Sequence, residues 1–546
     1  MRKLRMEVAG MTCDTCNLHV ARALERAGAQ GVIADRRRGE AVFALPEDAD
    51  LGRLAEAVRD AGYGPGRVET LEAGPPGPAA REAAYDLLII GAGSAAFAAA
   101  IRAREQGARV AMVEHGTVGG TCVNVGCVPS KALLRAGEVY HQAAHHGFAG
   151  VETSAGAVDL AALVAQKDEL VATMRREKYL DLVDAYGFEL IPGHARFTGP
   201  DEVSVDGRTI TAGAYLVATG ASPSVPPIEG LEEAGYLTST TALDLRELPR
   251  RLAVIGANAI GLELGQFFLH LGTEVVFYEV LDRIAPFEEP EASEALAQAL
   301  RERGAEIHAP ARVVRVSAEG GGRVVHAEVD GALRTFPVDQ VLVATGRTPN
   351  TRDLGLEEAG IERDRRGAIV VDEYLRTTNP RVFAAGDCTP APQFVYVSAY
   401  EGNLAAENAL NGPSRVVDLR ALPRVTFTSP QVAAAGLTEA QARAEGREVK
   451  TSVLPLSAVP RATVNRETRG VIKMVADAAT DELLGVSVVA EGAGEVIQAA
   501  VFAIKFRLTV GEVAATFHPY LTVAEGLKLA AQTFTKDVAK LSCCAA

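Results

Sequence analysis

The chain has 546 residues, of which 48% are hydrophobic and 23% are charged, and its formal net charge is −15. This length predicts three or four domains with sizeable apolar cores, and the acidic balance argues against a general nucleic-acid binder. The longest uncharged run, residues 87–101, is too short to span a bilayer, and no apolar signal-peptide segment follows the basic N-terminus. We therefore expect a cytoplasmic protein with no membrane insertion and no nucleic-acid partner.

Seven cysteines are too few for a disulfide scaffold in a chain of this length. Six of them form three close pairs and one stands alone: Cys13/Cys16, Cys122/Cys127, Cys543/Cys544 and Cys388. Close pairs in a chain without a signal peptide indicate thiol chemistry in a reducing compartment. For the lone Cys388 we expect a buried, unreactive thiol.

Residues 1–70 have the pattern of a small separate domain. Alternating strand patterns and amphipathic helical patterns follow one another in the order βαββαβ, which is typical of a ferredoxin-like fold. The predicted strands are 5–9, 31–35, 40–45 and 66–71, with one helix after Cys16 and another over 51–61.

A Cys-x-x-Cys motif, Cys13 and Cys16 in the segment GMTCDTC, lies at the predicted start of the first helix. Two thiolates at this spacing can hold a soft ion from both sides. Zinc usually takes four ligands, whereas the domain adds only His19, so Hg(II) or Cu(I) is the favoured cargo. A thioredoxin-like redox motif is the alternative, although the surrounding pattern is not thioredoxin-like. The segment resembles the loop of heavy-metal-associated domains.

Residues 71–84 read LEAGPPGPAAREAA, which is rich in Gly, Pro and Ala and has no apolar period. Such a composition predicts a flexible tether. We therefore expect the small domain to be linked loosely to the rest of the chain.

A dinucleotide-binding pattern follows the tether. An apolar strand at 86–90 leads into GAGSAA, the G-x-G-x-x-A variant of the fingerprint, and then into a helical pattern. Gly91 permits the tight turn, Gly93 lets the backbone approach a pyrophosphate, and Ala96 takes the third position. Glu114 ends the next strand, where a ribose hydroxyl is bound.

The segment GGTCVNVGCVPSK at 119–131 carries Cys122 and Cys127 among glycines, before a helical pattern. A thiolate at a helix N-terminus is stabilised by the dipole and the backbone amides. A pair this close can cycle between dithiol and disulfide. Two buried structural cysteines are the alternative, which the adjacent nucleotide-binding pattern disfavours.

This segment resembles the redox-active segment of the flavin-dependent pyridine nucleotide-disulfide oxidoreductases, the family of glutathione reductase, lipoamide dehydrogenase and mercuric reductase. The resemblance extends over most of the chain from Tyr85 onward. It implies FAD and NAD(P)H as cofactors, Cys127 as the thiol nearer the flavin, and Cys122 as the thiol that exchanges with substrate. It also implies cofactor contacts within this segment: Gly120, Thr121 and Lys131, the last near the flavin N5 edge.

Two later apolar runs end in Thr-Gly, at 219–220 and 345–346, and resemble the segments at which the family's chain crosses between nucleotide domains. Thr219, Gly220 and Gly346 are thereby implied as cofactor contacts. Residues 381–387 resemble the second flavin motif, in which Asp387 would bind the ribityl chain.

A second strand–turn–helix pattern runs through GANAIG at 256–261. Gly256 and Gly261 match the fingerprint, but Asn258 stands at the middle glycine; since Asn tolerates left-handed backbone better than most residues, we expect the turn to survive. Glu279 ends the next strand, where a carboxylate accepts a ribose hydroxyl and repels a 2′-phosphate. We therefore expect NADH to be accepted, although mercuric reductases are usually linked to NADPH.

The C-terminal region distinguishes branches of the family. The disulfide-reducing relatives use a histidine base in a segment like HPHPTxSE, and HPYLTVAE at 518–525 places Tyr520 at that position. A phenol, with a pKa near ~10, is a poor proton shuttle for dithiols at neutral pH.

The chain ends in LSCCAA. The adjacent Cys543 and Cys544 could form only a strained disulfide, and they suit a tail that passes on a soft ion.

These C-terminal features and the GMTC domain resemble the mercuric reductases. The resemblance implies further site residues: Tyr236 as a second tyrosine at the mercury site, and Glu263 as the partner of Lys131. It implies a homodimer that reduces Hg(II) to Hg(0) at sites shared between subunits. The ion would arrive as Hg(II)-thiol complexes and pass through the thiol pairs in this order: Cys13/Cys16, Cys543/Cys544, then Cys122/Cys127 of the partner subunit.

Two alternatives remain. A lipoamide-dehydrogenase-like or other disulfide reductase is disfavoured by Tyr520, and a soft-metal carrier is disfavoured by the two nucleotide-binding patterns.

The expected fold class is α/β, with two Rossmann-like domains, an α+β dimerisation domain and a ferredoxin-like metal-binding domain. The expected boundaries are a metal-binding domain at 1–70, linker 71–84, FAD domain 85–240, NAD(P) domain 241–350, central FAD-contacting segment 351–420 and dimerisation domain 421–546.

Overall fold

The computed structural model describes residues 2–11, 14–35, 39–46, 49, 51–70 and 83–537. The chain divides into two compact units, residues 1–83 and 84–546. Nearly all of the expected tether, together with Cys13, Cys543 and Cys544, lies outside the described residues. Within the described ranges, no helix is long and apolar enough to cross a membrane.

The N-terminal unit has the predicted βαββαβ order. Its elements are β1 (Arg2–Ala9), α1 (Asp14–Arg26), β2 (Gln30–Asp35), β3 (Glu40–Leu45), α2 (Leu51–Asp60) and β4 (Gly64–Thr70). The sheet order β2-β3-β1-β4, with antiparallel pairs throughout, is the ferredoxin-like arrangement. Alternate residues of β3, among them Phe43, point into a core that includes Leu54 and Val58 of α2. The last strand begins at residue 64 and not at 66 as predicted, because Gly64 pairs with Ala9.

The first nucleotide-binding domain is built on a parallel five-stranded sheet. Its strands, from one edge to the other, are β21 (Val382–Ala384), β11 (Ala212–Val217), β5 (Tyr85–Ile90), β6 (Val110–Glu114) and β7 (Glu189–Pro192). The helices and turns are α3 (Ser94–Glu105), α4 (Gly120–Val125), α5 (Cys127–Ala144), α6 (Leu160–Arg175), a π-helical turn (Arg176–Leu180) and α7 (Asp181–Tyr186). A small antiparallel sheet comprises β8 (Ala195–Gly199), β9 (Glu202–Val205) and β10 (Arg208–Ile210). Gly402 on α11 (Val395–Asn411) lets that helix pack closely on α3, since a Cβ at Gly402 would lie 2.1 Å from the Ala95 carbonyl oxygen.

The second nucleotide-binding domain repeats the parallel plan with the sheet order β15-β14-β13-β19. Its elements are β12 (Ala221–Pro223), α8 (Leu231–Ala234), a 3-10 turn (Thr241–Asp244), β13 (Arg251–Ile255), α9 (Ala259–His270), β14 (Glu274–Tyr278), α10 (Pro290–Glu302), β15 (Glu306–His308), β16 (Ala311–Glu319), β17 (Gly322–Val329), β18 (Ala332–Val338), β19 (Gln340–Val343) and β20 (Arg347–Pro349). Strands β16–β18 form an antiparallel sheet. The chain enters through β12 and returns through β20, and these two crossing strands pair with each other.

The domain boundary lies earlier than the sequence suggested. Residues 224–240, assigned to the FAD domain at first, pack on the second sheet: Leu231 and Tyr236 join the apolar cluster of β13, β14 and β16–β19, and Leu237 bridges to Leu342. The short segment between the crossing strand and β13 has no periodic pattern, so the sequence could not show which sheet it covers.

The third part is an antiparallel five-stranded sheet, in the order β22-β23-β26-β25-β24, covered by helices. Its elements are β22 (Pro423–Thr426), β23 (Gln431–Gly436), α12 (Glu439–Ala444), β24 (Val449–Pro455), a 3-10 turn (Leu456–Ala458), α13 (Pro460–Asn465), β25 (Val471–Asp477), β26 (Leu483–Ala490), α14 (Ala493–Lys505), α15 (Val510–Ala515) and α16 (Glu525–Gln532). Buried Lys473 on β25 joins it to the second domain, because its Nζ lies 3.0 Å from Glu289 and Glu291 and 2.9 Å from Glu439.

Candidate active site and nucleotide-binding loops

The two central cysteines lie on either side of a helix break. Cys122 is in the first turn of α4, and Cys127 is the first residue of α5. The break falls at Gly126, where a Cβ would lie 2.9 Å from the Thr121 carbonyl oxygen. The segment therefore turns back on itself and places the second cysteine at a helix N-terminus, where backbone amides and the dipole favour an anion.

The two thiols are electrostatically unequal. Cys122 donates a hydrogen bond to Cys127, and this bond, helped by the nearby charge of Lys131, lowers the pKa of Cys127 to about 7. The same hydrogen bond, together with burial, raises the pKa of Cys122. Both cysteines are partly buried and neither forms a disulfide. The arrangement is a thiolate held by a neighbouring thiol, which suits ligand exchange at neutral pH.

An ion pair behind the cysteines joins three parts of the fold. The Lys131 Nζ lies 2.6 Å from Oε2 of Glu263 on α9, and Glu263 is buried. The other carboxylate oxygen accepts a hydrogen bond of 2.8 Å from the backbone N–H of Phe427, whose ring lies 4.8 Å from the Lys131 Nζ. The structure thus brings together the two residues that the resemblance paired, and it adds Phe427, which no sequence pattern indicated.

Tyr179, on the π-helical turn, is a tyrosine that interacts with both cysteines. Burial raises its pKa, and the charges of both cysteines add to the rise; its ring packs edge-on against Phe97 at 4.9 Å between centroids. Tyr236 contacts a different region: its hydroxyl donates to Glu232 at 3.3 Å, and its ring packs on the second sheet. The place of Tyr236 at a mercury site stays a prediction.

No sequence pattern singles out Tyr179, because it lies within an ordinary helical pattern. The structural feature that marks it is the π-helical turn, which is frequent at functional sites.

Tyr520, which the sequence placed at the position of the histidine base, follows α15 and is half exposed, with 52% of its surface accessible.

The first dinucleotide loop is shaped to receive a pyrophosphate. Gly91 has a φ of +110°, and a Cβ there would lie 2.4 Å from the Ala218 carbonyl oxygen. A Cβ on Gly120 would lie 2.7 Å from the Cα of Gly93. No described side chain caps the N-terminus of α3, so its first amides can bind an anion. Ala96 is fully buried, and the loop fits the predicted FAD.

The Glu114 carboxylate closes this loop from the next strand. It accepts hydrogen bonds from the backbone N–H of Ala92 at 2.8 Å and of Gly116 at 2.6 Å. The acid therefore fixes the turn and remains at the edge where a ribose would bind.

The second loop repeats the geometry with one substitution. A Cβ on Gly256 would lie 2.5 Å from the Ala344 carbonyl oxygen, and one on Gly261 would lie 1.9 Å from the Gly256 carbonyl oxygen. Asn258 has φ −107° and ψ −170°, close to the φ −91° and ψ −166° of Gly93. The expectation that left-handed tolerance rescues this turn is wrong, because the position is extended and any residue can adopt it.

The end of β14 carries the acid that faces the nucleotide ribose in such loops. Buried Glu279 accepts hydrogen bonds from the backbone N–H of Ala257 at 2.9 Å and of Leu281 at 3.0 Å. The nearby Arg283 donates to the carbonyl oxygens of Pro286 at 2.8 Å and Glu288 at 3.1 Å. Its guanidinium is directed into its own loop, so the carboxylate dominates the charge at this position.

The two Thr-Gly segments meet at the crossing strands. Thr219 donates through Oγ1 to the Asn350 carbonyl oxygen at 2.7 Å, and Gly220 and Gly346 have φ values of +68° and +126°. A Cβ at either glycine would meet no atom within 4 Å. The first segment abuts Gly91 of the first dinucleotide loop through Ala218 and Thr219, and the second abuts Gly256 of the second loop through Ala344 and Thr345.

Asp387 is grouped with two charged residues that the sequence did not single out. The Nε of Arg347 lies 3.7 Å from the Asp387 carboxylate and has no hydrogen-bond partner among the described residues. Glu401 accepts a 2.8 Å hydrogen bond from the Gly386 N–H, and burial raises its pKa to about 7. Burial likewise raises the pKa of Asp387. The unpartnered guanidinium N–H fits a cofactor with an anionic group.

The remaining cysteines are distributed as follows. Cys388 is fully buried, as expected, and burial raises its pKa to about 11. Cys16 lies on α1 in the core of the N-terminal unit, beside Met11. The predicted metal ligands Cys13, Cys543 and Cys544 lie outside the described residues. Within the described ranges, no cluster of three or more His, Cys, Asp or Glu side chains could hold a metal ion.

Comparison with known proteins assigns this arrangement to a family. Residues 85–402 match the family described as pyridine nucleotide-disulphide oxidoreductase, and residues 422–531 match its dimerisation domain. The chain belongs to the pyridine nucleotide-disulphide oxidoreductase family. The predicted family and the predicted pair of nucleotide-binding domains are thus confirmed, and the chain is an oxidoreductase.

Several oxidoreductases of this kind are similar to the chain over nearly all of its length. The mercuric reductase of Bacillus cereus is 54% identical over 100% of this chain and 87% of that protein. Those of Staphylococcus aureus and Lysinibacillus sphaericus are 52% and 51% identical, and each covers at least 99% of both chains. The predicted resemblance to mercuric reductases is therefore confirmed.

A solved structure supports the same fold for this oxidoreductase. The HOCl-induced flavoprotein disulfide reductase RclA from Escherichia coli, solved as its Cu(II) complex, is 31% identical, with a TM-score of 0.74. The similarity covers 83% of this chain and 99% of that chain.

Proposed function

We propose that the protein reduces mercuric ion, by the reaction NAD(P)H + Hg(II) → NAD(P)+ + Hg(0) + H+. The observation that carries the proposal is the unequal pair of Cys122 and Cys127, in which one thiol holds the other near its thiolate form at neutral pH. Hg(II) is a soft ion that prefers thiolate ligands. The full-length similarity to mercuric reductases supports this substrate over a disulfide.

The cofactors are FAD and a nicotinamide nucleotide. Gly91, Gly93 and Glu114 would hold the FAD pyrophosphate and ribose, and Asp387 would bind its ribityl chain. When bound, FAD and nicotinamide supply the hydride and two-electron chemistry. The loop at 256–261 would hold the nicotinamide nucleotide, which we propose can be NADH because Glu279 carries an uncompensated carboxylate there.

The chain's own side chains position the reactants. Glu263 holds the Lys131 ammonium at 2.6 Å behind the cysteines, which keeps a positive charge beside Cys127 and favours its thiolate. Cys122 exchanges ligands with the incoming Hg(II)-thiol complex. Tyr179, with its pKa raised, stays protonated and can donate a hydrogen bond toward the sulfurs.

Delivery of the ion uses further thiols and a second subunit. We infer a homodimer built through residues 421–546, in a reducing compartment such as the cytoplasm. Hg(II) passes from Cys13/Cys16 to the Cys543/Cys544 tail of one subunit and then to the cysteine pair of the partner subunit. Each transfer exchanges one sulfur ligand for another, so no free ion is released.

A disulfide reductase is the second candidate, because the RclA structure that matches the fold carries that description. Tyr520 argues against it. A phenol in place of an imidazole would shuttle protons poorly between dithiols at neutral pH.

The test is Hg(II)-dependent NAD(P)H oxidation by the purified holoenzyme in excess small thiol, with volatile mercury trapped. We expect turnover in wild type and at least a tenfold loss in a Cys543→Ala/Cys544→Ala variant, whereas Ser542→Ala in the same tail should behave as wild type. Turnover that is unchanged in the double variant would refute the tail's role. Activity on lipoamide or glutathione disulfide without mercury reduction would refute the proposed function.

A further inference from the structure

A half-open cavity of about 250 Å³ lies beside the cysteine helix. Its walls are the last turn of α4, one face of α6 and the 3-10 turn Thr241–Asp244. At roughly 30 Å³ for each water-sized group, the cavity accommodates about eight such groups. This is the size of a small amino-acid derivative and not of a dinucleotide.

The cavity carries both signs of charge. Buried Lys167 binds Asp168 at 2.6 Å and Asp244 at 2.8 Å, and Arg246 binds Asp168 at 3.0 Å, so these four groups together are neutral. Arg175 lies two turns further along the same face of α6. Its one hydrogen-bond partner within residues 83–537 is the Asn124 amide oxygen, at 3.3 Å. Arg175 has further guanidinium N–H groups at one end, and Asp244, which binds Lys167 through Oδ1, has its second carboxylate oxygen at the other. The cavity therefore complements a ligand with a carboxylate and an ammonium.

Two elements that line the cavity also lead to residues of the redox site. Val125, which lines the cavity, lies one turn beyond Cys122 on the same face of α4. Arg175 precedes Tyr179 by one turn, and Tyr179 interacts with both cysteines. A molecule seated here lies one helical turn from Cys122 along α4.

We infer that this cavity binds the amino-acid portion of a low-molecular-weight thiol, cysteine or a short peptide thiol, that brings or carries away the mercuric ion. The inference rests on the proposed function. The exchange is Hg(SR)2 + Cys122-SH → Cys122-S-Hg-SR + RSH: one mercury–sulfur bond forms, one breaks, and the proton of Cys122 leaves on the released thiol. Arg175 binds the thiol's carboxylate, and Asp244 receives its ammonium.

The test compares mercury complexes of different thiols. For wild-type holoenzyme, kcat/KM with the bis-cysteine complex should exceed that with the bis-2-mercaptoethanol complex. Arg175→Gln should raise KM for the cysteine complex about tenfold and leave the mercaptoethanol complex unchanged, because a charged hydrogen bond is lost. Exposed Arg176, the next residue, provides the matched control Arg176→Gln. The cysteinylglycine complex distinguishes a peptide thiol from a single amino acid.

A binding measurement separates the inference from the proposed function. S-Methylcysteine has the amino-acid group but no thiol, and calorimetry should show it binding to wild type and about tenfold more weakly to Arg175→Gln. Equal KM ratios in wild type and Arg175→Gln, or no binding of S-methylcysteine, would overturn the inference. Failure to reduce mercury from any complex would overturn the proposed function instead.

Discussion

The choice of nicotinamide nucleotide should depend on one buried charge. Glu279 is 6% exposed and is fixed by two backbone hydrogen bonds, so its carboxylate cannot turn away from a 2′-phosphate. At a separation of about 5 Å and an effective dielectric constant of about 20, each unit of phosphate charge is repelled by about 3 kcal/mol. Since 1.4 kcal/mol is a factor of ten, we expect NADH to be preferred over NADPH by roughly one hundredfold.

The assay is anaerobic flavin reduction in a stopped-flow instrument, which does not depend on the identity of the final acceptor. Glu279→Gln keeps an oxygen acceptor and removes the charge, so it should bring the two nucleotides to within about tenfold. Glu274→Gln on the same strand is the control, because its side chain is 80% exposed. Faster reduction by NADPH in wild type, or an unchanged ratio in Glu279→Gln, would refute the reasoning.

Three further results are expected. Burial raises the pKa of Glu401 to about 7, so the folded state retains a proton that the unfolded chain has released. The free energy of unfolding should therefore fall as the pH rises from about 4.5 to 7. Glu401→Gln should flatten this pH dependence and raise the urea midpoint at pH 8. Lys473→Met leaves three glutamates without their buried partner and should lower the free energy of unfolding by about 3–5 kcal/mol. Lys505→Met, which removes the surface pair with Asp418, should lower it by less than about 1 kcal/mol. Glu263→Gln should slow flavin reduction about tenfold while nucleotide binding is unchanged, because Lys131 loses its 2.6 Å partner; an unchanged rate would contradict that role.

The sequence predicted those parts of the fold that depend on local rules. The glycine turns at Gly91 and Gly256 require positive φ and contact a neighbouring carbonyl, which leaves a readable signature. The βαββαβ order of the small unit follows from its periodicity. The ion pair of Lys131 with Glu263 spans 132 positions, and the resemblance to a known family indicated it before the structure did.

Other parts of the site depend on packing between distant elements. Tyr179, Arg347 and Glu401 acquire their surroundings from helices and loops far away in the chain, and no local pattern indicates which face of a helix meets the cysteines. The expectation for Asn258 failed because the conformation at that position is extended in both loops. A consensus glycine there reflects the space that a ligand needs and not the backbone angle.

The pairing of β12 with β20 has a consequence for engineering. Pro223, at the end of the outgoing strand, lies opposite Arg347, at the start of the returning one, and residues so paired lie about 5 Å apart. The whole nicotinamide-binding module is therefore an insertion whose two ends are adjacent. A hairpin turn of two residues could close the gap that its removal leaves. A different nucleotide-binding module could be grafted onto the same two strands if it also replaced α9, whose Glu263 and Phe267 pack on the cysteine helix.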